Sequence, residues 1–372
     1  MNLYNHIIEA VIKSIICSKE STVLQKEKMD INKKNQLFEA LNIVDTHAGM
    51  LLTVKKETGA KIFGCTCPVI PPEIPAAFNI LLLKIPEFVL NSADLREKYA
   101  AVYDAIILPE CSGTCSHNPF PSVKSFSFSF PPGWGEDASV ALHNSFEKML
   151  RTLCGINIRE INIGELQKRT AVYEALRRAL RGINAAKNEK PGIISSTDLF
   201  RIFETALVLP PDRALQLITP ILEWMRSEKP AADLSVINAM LYGGRLFPHE
   251  LADQIESMGI NVSEDDSCTG RRCFDLSVNA ESEYLFYELL DAYSYRPLTP
   301  CLRGPQERHE LLYRLLRNHG IETVIFTDEG DCEFPPGHID YLRIRLMRDG
   351  IDPLIITPKS LQKKISDYLE FF

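Results

Sequence analysis

The sequence has no long apolar run and no secretory cleavage signal. Its longest apolar stretch, residues 80–85, is interrupted by Lys84, whereas a membrane-spanning helix needs about 18 or more consecutive apolar residues. Residues 1–19 place polar side chains among apolar ones at helical spacing and lack a small-residue cleavage site. We therefore expect a surface or interface helix in this stretch, a cytoplasmic protein and no membrane partner.

The sequence also lacks the common motifs for zinc and nucleotides. None of the ten cysteines forms a C-x2-C pair, which argues against a structural zinc. The Gly243–Gly244 pair has neither the G-x-G-x-x-G pattern nor a Walker lysine, so it predicts a tight strand-to-helix turn rather than a nucleotide site. The histidines show no triad or metal-ligand spacing, and we expect them at the surface or at helix ends.

Positive charge is scarcer than negative charge. Lys and Arg total 41 against 49 Asp and Glu, a formal net charge of −8, which argues against a protein that coats nucleic acid. The hydrophobic share of 45% is typical of a globular protein and excludes a disordered or collagen-like chain. At about 150 residues per domain, the 372 residues suffice for two or three compact units.

Strands and helices alternate on both sides of a purely helical middle. We predict N-terminal helices in 1–45, a first α/β lobe in 46–135, a helical subdomain in 136–230 and a second α/β lobe in 231–372. Alternation of strand and helix favours parallel sheets. The expected fold class is therefore α/β, with two Rossmann- or flavodoxin-like lobes, a helical N-terminus and an inserted helical subdomain.

Three local assignments can be tested directly. Residues 74–83 are compatible with either a buried helix or a buried strand, and residues 101–108 predict another buried strand. In the helical subdomain, Ser196 or Thr197 is expected to cap the helix that follows the linker at 188–196.

Four cysteines fall in loops that follow predicted strands, namely Cys67, Cys111, Cys268 and Cys332. Ligands of open parallel sheets bind beyond the carboxyl ends of the strands, so loops from two facing lobes can bring distant thiolates to one metal or cluster. The cysteine density is far below that of a disulfide scaffold, so the thiols are expected to be reduced or metal-bound. The alternative is that they are buried and act as small hydrophobic side chains.

Three ordered motifs surround cysteines of this kind. Cys67 is followed by a Pro four places later and by Glu73 six places later. Cys111 lies in LPECSG, and Cys332 begins CEFPPGHIDYLRIRLMRDGI. The three motifs resemble the cluster-ligand motifs of the 2-hydroxyacyl-CoA dehydratase and benzoyl-CoA reductase family, in particular a D-component-like subunit of 2-hydroxyglutaryl-CoA dehydratase. The resemblance covers roughly residues 61–356.

The resemblance implies that Cys67, Cys111 and Cys332 hold a 4Fe-4S cluster whose open iron serves as a Lewis acid and an electron outlet. An acyl-CoA thioester accepts one electron at low potential, becomes a ketyl radical anion and loses its 2-hydroxyl as water. Glu73 is expected to be a catalytic proton shuttle, and Arg272, in EDDSCTGRR, is expected to bind substrate. The expected partners are an acyl-CoA, a homologous sister subunit in a heterodimer or a homodimer, and an ATP-dependent iron–sulfur activator; nucleic acid is not expected.

Two alternatives stay open on the sequence. A double-cubane ATP-dependent reductase needs about six cysteines per chain. Cys268 and Cys301 occupy two of the additional places, and one of Cys65, Cys115 or Cys273 would have to supply another. The second alternative is a non-catalytic electron-relay subunit, whose cluster only passes charge to a catalytic partner.

Overall fold

The computed structural model describes residues 32–68, 70–110, 117–130, 136–229, 237–243, 249–267, 269–295, 305–327 and 337–356. The chain divides into two compact units, Met1–Ile43 and Val44–Phe372. In the first unit, residues 32–39 form helix α1, where the Lys34 ammonium lies over the Phe38 ring. All elements described below belong to the second unit.

The first lobe is built on one parallel sheet. Its strands are β1 (Lys61–Cys65), β2 (Ile80–Lys84), β3 (Ala105–Pro109) and β4 (Ser125–Phe128), and its helices are α2 (His47–Thr58), α3 (Glu73–Ala76), α4 (Glu87–Leu90) and α5 (Ala93–Ala100). The strand order is β2-β1-β3-β4. Every neighbouring pair in this sheet is parallel, as the alternation of strands and helices predicts.

A helical segment follows the first sheet. It consists of α6 (Glu136–Cys154), α7 (Ile163–Glu189), α8 (Ser196–Val208) and α9 (Pro211–Ser227). Helix α8 begins with a capping box in which the Ser195 side chain accepts from the Asp198 N–H and the Asp198 carboxylate accepts from the Ser195 N–H. The predicted cap at Ser196 or Thr197 is therefore wrong by at least one residue, because the acid three places after Ser195 completes the reciprocal pair.

The second lobe repeats the architecture of the first. It contains β5 (Ile237–Tyr242), α10 (His249–Ser257), β6 (Ile260–Asp266), α11 (Leu285–Tyr295), α12 (Pro305–His319), β7 (Thr323–Thr327), α13 (His338–Arg348) and β8 (Asp352–Ile356). The strands are again parallel, in the order β6-β5-β7-β8. One face of this sheet, which includes Met240 and Phe326, packs on Leu312 of α12 and Leu342 of α13.

Both faces of the first sheet are buried, following the two-residue period of its strands. On β1, Phe63 and Cys65 face a cluster that includes α6 and α11, whereas Ile62 faces a cluster with α2 and α5. Double-sided burial explains why these strands are nearly continuous apolar runs. Cys67, two residues beyond β1, belongs to the same cluster as Cys65.

The expected fold class is confirmed, because two four-stranded parallel sheets flanked by helices are present. Residues 74–83, for which a helix or a strand was expected, contain parts of both α3 and β2. The strand expected at 101–108 begins at Ala105, because residues 101–104 turn out of α5. None of the helices in the described stretches has the length and apolar character required to span a bilayer.

Candidate functional site

The carboxyl ends of β1 and β3 lie side by side, since the two strands pair in parallel with Cys65 opposite Ile107. This pair is the switch point of the first sheet, because the chain extends to β2 on one side and to β4 on the other. Cys67 follows β1 by two residues and is only 5% exposed. Glu110 directly follows β3. Its neighbour Cys111 lies outside the described residues.

The second sheet has its switch point between β5 and β7. The Tyr242 hydroxyl, at the end of β5, lies 2.7 Å from Nε2 of His338, the first residue of α13. The segment between Thr327 and His338 therefore begins at the carboxyl end of β7 and ends beside that of β5. Cys332 belongs to this segment and lies outside the described residues. His338 itself is buried, and it begins α13, which is one of the helix ends expected for the histidines.

A buried ion pair connects α3 to α7. The Arg177 guanidinium donates to the Glu73 carboxylate, and neither side chain is more than 5% exposed. The Tyr293 hydroxyl of α11 donates to Glu73 Oε2 at 3.1 Å. Arg177 Nε also donates to Glu174 Oε2 at 3.1 Å. One guanidinium therefore serves two carboxylates inside the protein, and both oxygens of Glu73 are engaged.

The same helix reaches the loop that follows β6. Arg181 Nη2 lies 2.7 Å from Glu174 Oε1. Arg181 Nη1 donates to the carbonyls of Phe274 and Leu276 at 2.8 and 2.6 Å. Helix α7 thus binds the first lobe through Arg177 and the second lobe through Arg181.

Three consecutive acids end β6 and are all buried: Glu264, Asp265 and Asp266. Burial raises the pKa of Glu264 to about 7, although Arg271 donates to its carboxylate. Burial also raises the pKa of Asp265, against the hydrogen bonds that its carboxylate accepts from Ser267 and from the Arg271 N–H. These acids therefore hold the loop after β6 in place.

Gly270 shows how tightly that loop wraps Asp265. A Cβ at Gly270 would lie 1.7 Å from Asp265 Oδ1 and 2.5 Å from Ser267 Oγ. Real atoms do not approach so closely, so only glycine allows the backbone to pass over the carboxylate. The glycine of the Cys-Thr-Gly sequence is consequently a requirement of the loop's own packing.

A cavity of about 70 Å³, here called the interlobe cavity, lies against both lobes and the helical segment. Cys65 at the end of β1 and Pro68 in the loop after it line the cavity from the first lobe, and Thr269 and Cys273 line it from the loop after β6. Helix α7 contributes Tyr173, Leu176, Arg177 and Leu180. The loops at the carboxyl ends of β1 and β6 therefore approach one common space, which also borders the residue after Cys67.

Comparison with protein families matches residues 115–359 to the family described as 2-hydroxyglutaryl-CoA dehydratase, D-component. The chain belongs to this family. The match covers about two thirds of the chain and includes the helical segment and the second lobe. A search of curated proteins finds no match. Membership implies a dehydratase-type subunit that works in a complex with a partner subunit.

The family's expected cluster ligands are only partly described. Within the described stretches, no three Cys, His, Asp or Glu side chains converge as a metal-holding group. Cys67 is described and buried at the switch point of the first sheet. The expected ligands and alternates outside the described residues are Cys111, Cys115, Cys268, Cys301 and Cys332. The three-cysteine ligand set of this D-component chain therefore stays a prediction.

The structure places the other two predicted site residues in polar contacts of their own. Glu73 is the first residue of α3 and is fully buried against Arg177 and Tyr293. Arg272 is 5% exposed and donates from Nε to Asp266 Oδ1. Its Nη2 donates to the Asp266 carbonyl. Arg272 is thus held in a local ion pair, while the proton-shuttle and substrate-binding roles stay predictions.

Three buried polar residues of this region were not predicted from the sequence: Arg177, Tyr293 and Lys187. A signal for two of them exists in α7, whose buried positions recur every three or four residues at Tyr173, Arg177, Leu180, Asn184 and Lys187. A charged side chain in such a buried stripe requires a partner elsewhere in the fold. The partners themselves could not be read from the sequence, because Glu73 and Tyr293 are 104 and 116 residues away from Arg177.

Proposed function

We propose that the chain is the iron–sulfur subunit of a 2-hydroxyacyl-CoA dehydratase-like complex. In this proposal Cys67, Cys111 and Cys332 hold a 4Fe-4S cluster, and an ATP-dependent activator delivers the electron. Dehydration of a 2-hydroxyacyl-CoA to an enoyl-CoA and water has no net redox change, so the electron is needed only catalytically. Family membership supports the dehydratase class.

The observation that carries the proposal is the position of the cysteines relative to the two switch points. Cys67 and Cys111 each follow, by two residues, the end of a strand at the first switch point. Cys332 belongs to a segment whose described neighbours lie at the second switch point. Loops beyond the carboxyl ends of parallel strands are where such folds bind ligands. The interlobe cavity, lined from both lobes, supports an approach of these loops.

The described part of the site fits a thiolate-held cluster. Cys67 is largely shielded from water within an apolar cluster that includes Ile70, Phe128 and Leu142. Three thiolates around a 4Fe-4S cluster would leave one iron open, and the bound cluster would supply both a low-potential electron and a Lewis-acidic site. Apolar surroundings of this kind keep water away from a reactive intermediate.

The protein's own residues would orient and protonate the substrate. Arg272 is a candidate for the thioester or a phosphate oxygen, because Asp266 fixes the plane of its guanidinium. Glu73 is a candidate proton shuttle through Tyr293, which both lines the interlobe cavity and donates to the Glu73 carboxylate. Arg177 already donates to the same carboxylate, so a proton shuttle at Glu73 would have to work beside this ion pair.

Anaerobic iron and acid-labile sulfide analysis tests the cluster. We expect about four irons per chain. Cys67→Ala, Cys111→Ala and Cys332→Ala should each lose most of the iron, because two thiolates hold such a cluster poorly. Cys154→Ala is the matched control, since Cys154 ends helix α6 and does not follow a strand. Retention of full iron in all three variants would contradict the ligand assignment.

Two measurements separate the alternatives. About eight irons per chain would indicate the double-cubane type, for which Cys65 and Cys273, both at the interlobe cavity, are further thiols. Reconstitution with the sister subunit and the activator, followed by turnover of several 2-hydroxyacyl-CoA thioesters, separates catalyst from relay. In a relay subunit, Arg272→Lys would leave turnover unchanged while the cluster is retained.

A further inference from the structure

The interlobe cavity borders two hydroxyl groups that the described part of the protein leaves unsatisfied. Tyr173 OH and Thr269 Oγ1 are buried, and neither has a hydrogen-bond partner among the described residues. Both residues line the cavity. Buried hydroxyls are normally bonded to protein or ordered water, because an unpaired one retains its full desolvation cost. Burial also raises the pKa of Tyr173, so its hydroxyl is neutral and can donate to an oxygen atom.

The positive charges that line this cavity are already neutralised. Lys84 Nζ lies 2.7 Å from Glu87 Oε1. Arg177 is paired with both Glu73 and Glu174, although its Nη2 lies 3.0 Å from Glu174 Oε2 without the alignment of a hydrogen bond. Among the described lining residues these are the two cations. A carboxylate that entered the cavity would therefore be buried without a counter-ion of its own, which is strongly unfavourable.

The remaining wall is largely aliphatic and aromatic. Its apolar side chains include Leu82, Leu176, Leu180, Phe203, Leu207 and Phe274. At about 10–15 Å³ for each water-sized atom, the volume of about 70 Å³ accommodates a chain of about five to seven heavy atoms. The cavity thus suits a short apolar group that carries one or two neutral oxygens at its end.

We propose that the interlobe cavity binds a short, uncharged aliphatic acyl chain of the CoA thioester and rejects acyl chains that end in a second carboxylate. This inference rests on the proposed function, because Cys65 and Pro68, on either side of Cys67 in the chain, form part of the cavity wall. The hydroxyls of Tyr173 and Thr269 donate to the oxygens at the thioester end of the chain. The specificity would differ from that of the 2-hydroxyglutaryl thioester named in the family description.

Calorimetric titration of the full-length chain with thioesters that lack the 2-hydroxyl tests this without turnover. Pentanoyl-CoA and glutaryl-CoA have acyl chains of equal carbon number, so their comparison isolates the second carboxylate. We expect pentanoyl-CoA to bind at least about 100-fold more tightly. Propionyl-CoA, two methylenes shorter, should bind about 15-fold more weakly than pentanoyl-CoA.

Near-isosteric variants test the hydroxyls. Tyr173→Phe and Thr269→Val should each weaken pentanoyl-CoA binding by about twofold to tenfold. Tyr103→Phe is the matched control, because Tyr103 also has a buried hydroxyl without a hydrogen-bond partner among the described residues but does not line the cavity. Its binding constant should be unchanged.

The inference is overturned if the two five-carbon thioesters bind with equal affinity, if neither binds, or if both cavity variants keep full affinity. Ordered water would then be the occupant of the cavity. Iron analysis of the same preparations keeps the two proposals separate. If the chain contains iron but binds pentanoyl-CoA and glutaryl-CoA equally well, only the cavity assignment is disproved. If it prefers pentanoyl-CoA but never takes up iron, the cluster assignment is disproved.

Discussion

Removal of the Arg177 guanidinium should destabilise the protein more than any other single change at the interlobe cavity. Arg177→Met keeps most of the side-chain length but leaves the Glu73 carboxylate, at 0% exposure, with the Tyr293 hydroxyl as its remaining side-chain partner in the described part of the chain. Breaking a buried ion pair by removing one member costs about 3–5 kcal/mol. Glu174 retains Arg181, so it adds little to this cost.

Glu73→Gln should cost less, about 1.5–3 kcal/mol. The amide oxygen of Gln still accepts from Tyr293, and Arg177 still has Glu174. The double variant should be less destabilised than the sum of the single ones, by roughly 1–3 kcal/mol, because the charge that Arg177→Met leaves unpaired is then absent. Urea unfolding followed by far-UV circular dichroism measures all of these free energies.

Arg178→Met is the control for this series, since Arg178 is the exposed neighbour on the same helix. We expect it to change the free energy of unfolding by less than about 0.5 kcal/mol. The reasoning fails if Arg177→Met costs under about 1 kcal/mol or if the two single changes are additive. Turnover adds a second readout, because a proton-shuttle role for Glu73 requires that Glu73→Gln lower kcat well beyond its effect on folding.

Three further outcomes follow from other buried groups. Gly270→Ala should destabilise the loop after β6 by about 3 kcal/mol or more in urea unfolding, since its Cβ would overlap Asp265. Lys187→Met should cost about 2–4 kcal/mol in the same assay, because the Val262 carbonyl loses its 2.7 Å bond from the ammonium. Burial lowers the pKa of His47, so its contribution to stability is complete above pH 6.5 and is lost as the pH falls through its folded pKa. His47→Gln should flatten the pH dependence of the unfolding midpoint. If that pH dependence is unchanged, groups other than His47 cause it.

The sequence predicted two α/β lobes with parallel sheets and the strand within residues 101–108, because parallel strands buried on two faces are short apolar runs bounded by turn residues. It did not predict α2, α5, β4 or α11 as separate elements. Strand β4 illustrates the reason: in SFSF the buried Phe126 and Phe128 alternate with exposed serines at an edge of the sheet, and four residues give too little pattern.

The sequence predicted only those parts of the candidate site in which a residue's position or partners are set by its neighbours in the chain. Cys67 lies just after a recognisable strand, so the sequence alone predicted its position beyond the carboxyl end of that strand. The partners of Arg272 were also local, since Asp266 is six residues away. The network around Arg177 was not predictable, because its members come from three helices whose packing is set by the whole fold.

The charged residues buried in α7 fix the position of that helix relative to the two sheets. Apolar contacts along a helix tolerate small rotations and shifts, whereas a hydrogen-bonded ion pair is satisfied in one register. Arg177 meets Glu73 at one point, and Lys187 meets the Val262 carbonyl about 15 Å further along the helix. Because the first contact belongs to the first lobe and the second to β6, the two together define one position of α7 relative to both sheets. A cluster whose ligands come from both lobes would need that fixed distance, and loss of either contact is expected to loosen the iron as well as the fold.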